Sequence, residues 1–136
     1  MALPPSGQPD LPPGAGARIH ITSMATWKNV AIMGNGNIHA HGGNGKWATF
    51  VVAPNNGFLR LDNIGTPGRF LAVGKMHVRH GPGGPACELS LLPVGPGVFS
   101  TVHAHGHGSL AFDQSGNPLQ PGPFQDPRGH FRYTMA

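Results

Sequence analysis

Nine histidines stand in a chain with only five acidic residues, and three of them fall together at His103-Ala104-His105-Gly106-His107. On an extended backbone alternate residues share a face, so these imidazoles would meet a divalent ion such as Zn²⁺, Ni²⁺ or Cu²⁺ together. Two features oppose a built metal site. The internal repeat puts the segment opposite Asn63 to Pro67, a loop, and the chain has few carboxylates to orient the rings from behind. No metal and no cofactor is implied.

The other groups suited to chemistry point to recognition. His39 and His77 occupy matching positions in two repeats, and His41 and His80 lie beside Gly-rich turns, where imidazoles carry a charge that appears only below about pH 6.5. Solvated turn histidines repeated by duplication would look the same. Trp27 falls on a loop and offers an indole to a sugar ring or a protein partner, or folds back over the rim of the fold. Asn35, Asn37 and Asn63, with His105 and His107, add hydrogen-bonding groups, although Asn is also a common turn residue. Trp47, beside the Gly42 to Gly45 turn, reads as a local plug.

Catalysis is not expected. Asp10, Asp62, Glu88, Asp113 and Asp126 are scattered and form no pair for acid and base work. No serine sits in a G-x-S-x-G elbow, and Gly81-Pro82-Gly83-Gly84 lacks the lysine of a phosphate loop. Cys87 aligns with Ala48 near the core, which reads as a buried thiol.

Net charge is +4, but the basic residues are spread singly, so a nucleic-acid patch is excluded. A single cysteine excludes an internal disulfide. The first residues lack the basic and apolar regions of a signal peptide, which predicts a cytoplasmic protein or one secreted without a leader. No run approaches the roughly 18 apolar residues of a membrane span.

The elements that carry these residues are short strands. With 22 Gly and 15 Pro, long helices are improbable and turns frequent. Hydrophobic residues alternate with polar ones from Arg18 onward, as in Ile19 and Ile21, Val30 and Ile32, Ile38 and Ala40. The pattern recurs. Phe58 to Pro93 resembles Arg18 to Pro54: Val30 matches Phe70, Ile38-His39 matches Met76-His77, Trp27 matches Pro67 and His107, and Trp47 matches Ala86. A third copy opens with Phe99 and Thr101, places Leu110 and Phe112 where Phe70 and Ala72 stood, and closes with Phe131 and Tyr133. Repeats of about 40 residues with about four strands each follow. Residues 1–17 read as a disordered Pro/Gly-rich tail, and 18–136 as one domain of repeats 18–54, 58–93 and 98–136. The predicted core is Ile19, Ile21, Val30, Ile32, Ile38, Phe50, Val52, Leu59, Leu61, Phe70, Met76, Leu89, Leu91, Phe99, Leu110, Phe112, Leu119, Phe131 and Tyr133.

Threefold repetition of this length, with Gly68-Arg69-Phe70-Leu71, resembles the β-trefoils of the fascin, hisactophilin and fibroblast-growth-factor kind. The Gln-x-Trp signature of ricin-type trefoils is absent. The resemblance implies an all-β barrel of six strands capped by three hairpins. Since trefoils serve many ends, the function stays open among three recognition roles. The first is lectin-like carbohydrate binding through Trp27 and neighbouring Asn and His side chains. The second is actin binding with pH-sensitive histidines, and the third is a leaderless cytokine or growth factor. A glycan or protein partner is expected in each.

Overall fold

The computed structural model describes residues 14–55, 57–74, 78–103, 105–106 and 108–136. Six strands close a ring: β1 (Arg18–Ser23), β4 (Phe50–Asn55), β5 (Phe58–Asn63), β8 (Leu89–Gly95), β9 (Val98–His103) and β10 (His130–Met135). Each pairs antiparallel with the next, and β1 closes the barrel by pairing with both β4 and β10. Two hairpins cap it, β2 (Asn29–Ile32) with β3 (Ile38–Gly42) and β6 (Phe70–Val73) with β7 (Val78–Gly81). This is a β-trefoil. Among the described residues no helix is long and apolar enough to cross a membrane.

The third hairpin is thinner than the repeat implied. Between β9 and β10 only isolated bridges form, Phe112 with Pro118 and Ser109 with both Val102 and Gly122. Pro118, Pro121 and Pro123 have no N–H to donate, so a continuous ladder cannot be built there. Among the described residues ten strands therefore stand where about twelve were expected.

Alternation in β1 and β5 puts every second side chain inside, including Ile19, Ile21 and Leu61, all fully buried. Four phenylalanines, Phe50, Phe99, Phe112 and Phe131, fill the centre. Phe131 meets Phe112 edge-on and Phe99 at a tilt, each with centroids 6.1 Å apart.

The expected core is corrected at three places. Phe70 is only half-buried, whereas Leu71 and Val73 are enclosed. The loop from Asn63 to Arg69 is one residue longer than that from Ser23 to Lys28, as the closing bonds show: Ser23 N–H donates to Lys28 C=O, Asn63 N–H to Arg69 C=O. One extra residue reverses the phase of a strand, so Val30 matches Leu71 and Leu110. Leu91 and Leu119 are half-buried, and Met76 lies outside the described residues. The second hairpin is also re-registered: Ile32 pairs with Ile38 and Val73 with Val78, so His39 falls opposite Arg79 and not His77.

Polar groups mark the threefold axis as clearly as apolar ones. Ser23, Asn63 and His103 end the three equivalent strands, are almost fully buried, and each accepts the N–H two residues on. Before the closing strand of each repeat comes a single 3-10 turn, at Lys46–Ala48, Pro85–Cys87 and Pro127–Gly129, whose last residue is small and buried. Crowding explains the size. A Cβ on Gly129 would lie 2.8 Å from the Leu110 carbonyl. Cys87 takes this place in repeat two, and burial is the main cause that pushes its thiol pKa up, away from the reactive thiolate.

Candidate functional site

The middle residues of the three 3-10 turns are Trp47, Ala86 and Arg128, one position with three chemistries. At Trp47 the indole Nε1 donates to Gly65 C=O at 3.3 Å. Its five-membered ring packs against Gly65, where an added Cβ would sit 1.8 Å from Cδ1. Glycine is required there by the ring above it. Asn63 holds the support in place: Oδ1 accepts from Gly65 N, Thr66 N and Thr66 Oγ1, and Nδ2 donates to Trp47 C=O at 2.8 Å. Trp47 keeps 37% of its surface exposed. It is a plug, as its position suggested, and also one wall of an open groove.

That groove has a volume of about 510 Å³ and runs between the β2–β3 hairpin and the 3-10 turn. Met33, His39 and His41 form one side, Lys46 and Trp47 the other, and Gly42, Gly43 and Gly45 leave backbone accessible between them. The Lys46 ammonium lies 5.5 Å from the indole centroid, a cation–π contact. His39 and His41 stack with centroids 3.8 Å apart and rings 10° from parallel. An irregularity in the β2–β3 register between Asn29 and Ala31 sits beside them, and His39 Nδ1 accepts from His41 N–H. Burial, and then the neighbouring His41, hold the His39 imidazole below its ordinary pKa. No carboxylate lines the groove.

The two other faces of the trefoil lack this combination. The equivalent groove of repeat two, about 420 Å³, has Pro85 and Ala86 where Lys46 and Trp47 stand, with Arg79 and His80 opposite. A cleft of about 560 Å³ lies between the β1–β2 loop and the third hairpin, lined by Met24, Asp113 and Arg128 among others. Its two charged groups are already engaged. Asp113 Oδ1 accepts from Ser115 and Asn117 N–H, and Arg128 is held by Asp126 at 2.7 Å.

The residues singled out from sequence separate accordingly. His39 and His41 come together in the groove. Asn63 does not reach a ligand: it is fully buried and its amide is committed to the loop under Trp47, so it acts as a cap. Asn35 and Asn37 form the β2–β3 turn, with Asn35 Oδ1 accepting from Asn37 N–H, and Asn35 also lines a third cleft of about 330 Å³ with Arg69 and His80. His80 rests on Gly36 of the neighbouring hairpin. His105 points outward to Glu88 at 3.1 Å, while His103 points inward, its Nδ1 accepting from His105 N–H and its Nε2 donating to Pro85 C=O. The two rings are neighbours, centroids 5.3 Å apart and tilted by 54°, and His103 is committed to these backbone partners. His77 and His107 lie outside the described residues. Trp27 is 64% exposed on the β1–β2 turn and lines none of these clefts. Sequence reasoning missed Lys46 and the exposed face of Trp47; the cue was Trp47 following Gly42 to Gly45, a run that leaves space beside an indole.

No protein-family model matches the chain, and no curated protein sequence matches it. Among solved structures it is similar to a designed threefold-symmetric protein, ThreeFoil, with a TM-score of 0.73 at 14% identity over 88% of this chain and 99% of that one. It is also similar to the GlcNAcα1-4Gal releasing endo-β-galactosidase of Clostridium perfringens, with a TM-score of 0.74 at 18% identity, over 88% of this chain and 32% of that one. The chain thus spans about a third of that enzyme. At these identities the likeness establishes the trefoil fold.

Proposed function

We propose that the protein is a non-enzymatic recognition module that binds saccharides in the groove of its first repeat. The observation that carries this reading is the partly exposed Trp47 indole, held against Gly65 by its Nε1–H and flanked by Lys46 and the stacked pair of His39 and His41. A sugar ring presents an apolar face of C–H groups to an aromatic plane and hydroxyls to polar neighbours around it. The three groove glycines let such a ring approach backbone amides closely. Lys46 supplies a cation to the groove and no carboxylate lines it among the described residues, which favours a saccharide bearing a carboxylate or sulfate group over a neutral one. The trefoil likeness to part of an endo-β-galactosidase that releases GlcNAcα1-4Gal is in keeping with this reading.

A glycan array at roughly pH 7.4 tests it with wild type, Trp47→Ala and Trp47→Phe. Acidic glycans are expected to bind wild type, with a loss of about tenfold or more in Trp47→Ala, about 1.4 kcal/mol, and a smaller loss in Trp47→Phe. A blank array, or binding indifferent to Trp47→Ala, would refute it.

A further inference from the structure

Trp27 has a backbone that its side chain does not explain. Its φ is 58°, and among the described residues it is the single non-glycine in the left-handed region, which for a bulky aromatic is a true outlier. The fold demands that conformation at this point. The residue before the carbonyl that closes the loop is Trp27 in repeat one and Gly68, with φ 80°, in repeat two. The trefoil therefore accepts glycine here without strain. Trp27 recovers little by packing, because it is 64% exposed and its side chain makes no ring, cation or hydrogen-bond contact among the described residues.

The turn bearing it is tied to the groove on two sides. Thr26 Oγ1 donates to Ala40 C=O, between the stacked His39 and His41. Asn29 Nδ2 donates to Gly43 C=O at 2.8 Å and to Asn44 Oδ1 at 3.1 Å. Ala40 and Gly43 bracket His41 and Gly42, both of which line the groove, whereas Trp47 stands beyond Gly45. The turn bearing Trp27 is thereby fixed beside β3, which forms one side of the groove, and Trp47 forms the other.

From this we infer that Trp27 is a second ligand-contacting residue, stacking on a further ring of an oligosaccharide whose first ring occupies the groove. The inference rests on the saccharide reading of the groove and adds chain length to it: the natural ligand has at least two rings. A left-handed tryptophan lowers stability and improves binding, so removing it should separate the two.

The experiment uses Trp27→Gly, with Trp27→Asn as a second variant that also tolerates the backbone, beside Trp47→Ala. Thermal unfolding is recorded for each. Calorimetric titrations use hyaluronan tetrasaccharide and chitotetraose, together with glucuronate and N-acetylglucosamine as single rings. Trp27→Gly is expected to melt at or above wild type, to lose about tenfold in affinity for the bound tetrasaccharide, and to bind the matching single ring as wild type does. Trp47→Ala is expected to lose both. A wild type that binds neither tetrasaccharide overturns the groove reading and this inference with it. Wild-type tetrasaccharide affinity in Trp27→Gly and Trp27→Asn overturns the inference alone, as does a lowered melting point in both, which would make Trp27 a structural residue.

Discussion

Asn63 offers the sharpest separation of scaffold from site. Truncation to alanine removes four side-chain hydrogen bonds. Gly65 N–H keeps a second acceptor in Lys46 C=O, so its loss is partial. Thr66 N–H and Trp47 C=O are left without these partners in a part-buried loop. A stranded polar group of this kind costs about 1–3 kcal/mol, so two give a destabilisation of about 2–6 kcal/mol. Against a typical total of about 5–15 kcal/mol that is a large fraction, and it lowers the melting temperature by about 8–24 °C for a domain of this size. Urea denaturation read by far-ultraviolet circular dichroism measures it, with an unchanged slope to confirm that only stability moved. Asn63→Ser, which copies the single bond made by Ser23 in repeat one, is expected to lie between alanine and wild type. A loss below about 1 kcal/mol in Asn63→Ala would mean that water satisfies the loop as well as Asn63 does, and would return this side chain to the list of ligand contacts.

Gly65→Ala acts on the groove instead of the fold. The new Cβ meets Trp47 at 1.8 Å, and Gly65 is not among the residues with positive φ, so the indole must move while the backbone stays. In a Trp27→Phe background, where Trp47 is the sole emitter, its fluorescence maximum should shift and saccharide affinity should fall as in Trp47→Ala; an unshifted maximum counts against the packing described. For His39 the sign of the pH dependence is set by its lowered pKa. The unfolded chain takes up the proton first, so the stability contributed by the neutral ring is complete above about pH 6.5 and is lost as pH falls from there through the folded value. His39→Gln should flatten the decline in urea midpoint between about pH 7 and pH 5, with Lys46 and His41 as the other titratable groups lining the groove; parallel declines in the two proteins would dismiss the assignment.

The amino-acid sequence alone determined the parts of this protein that repeat with period two or with the length of a trefoil unit. Alternation placed Ile19, Ile21, Leu61, Phe99 and Phe131 inside because successive side chains on a strand face opposite ways wherever the strand sits. Repeat spacing put Cys87 at the buried place of Ala48, and the two-residue step from His39 to His41 put both rings on one face. Phase and partnership were decided by the tertiary structure. One additional residue between Asn63 and Arg69 turned Phe70 outward and Leu71 inward, and the register of β6 with β7 moved His39 opposite Arg79, changes too small to see against imperfect repeats. Trp47 gained its support from Gly65 and Asn63, which lie in the following repeat and meet it only when the barrel closes. Local periodicity carries no information about such contacts, because they depend on which strand ends the closed ring brings together.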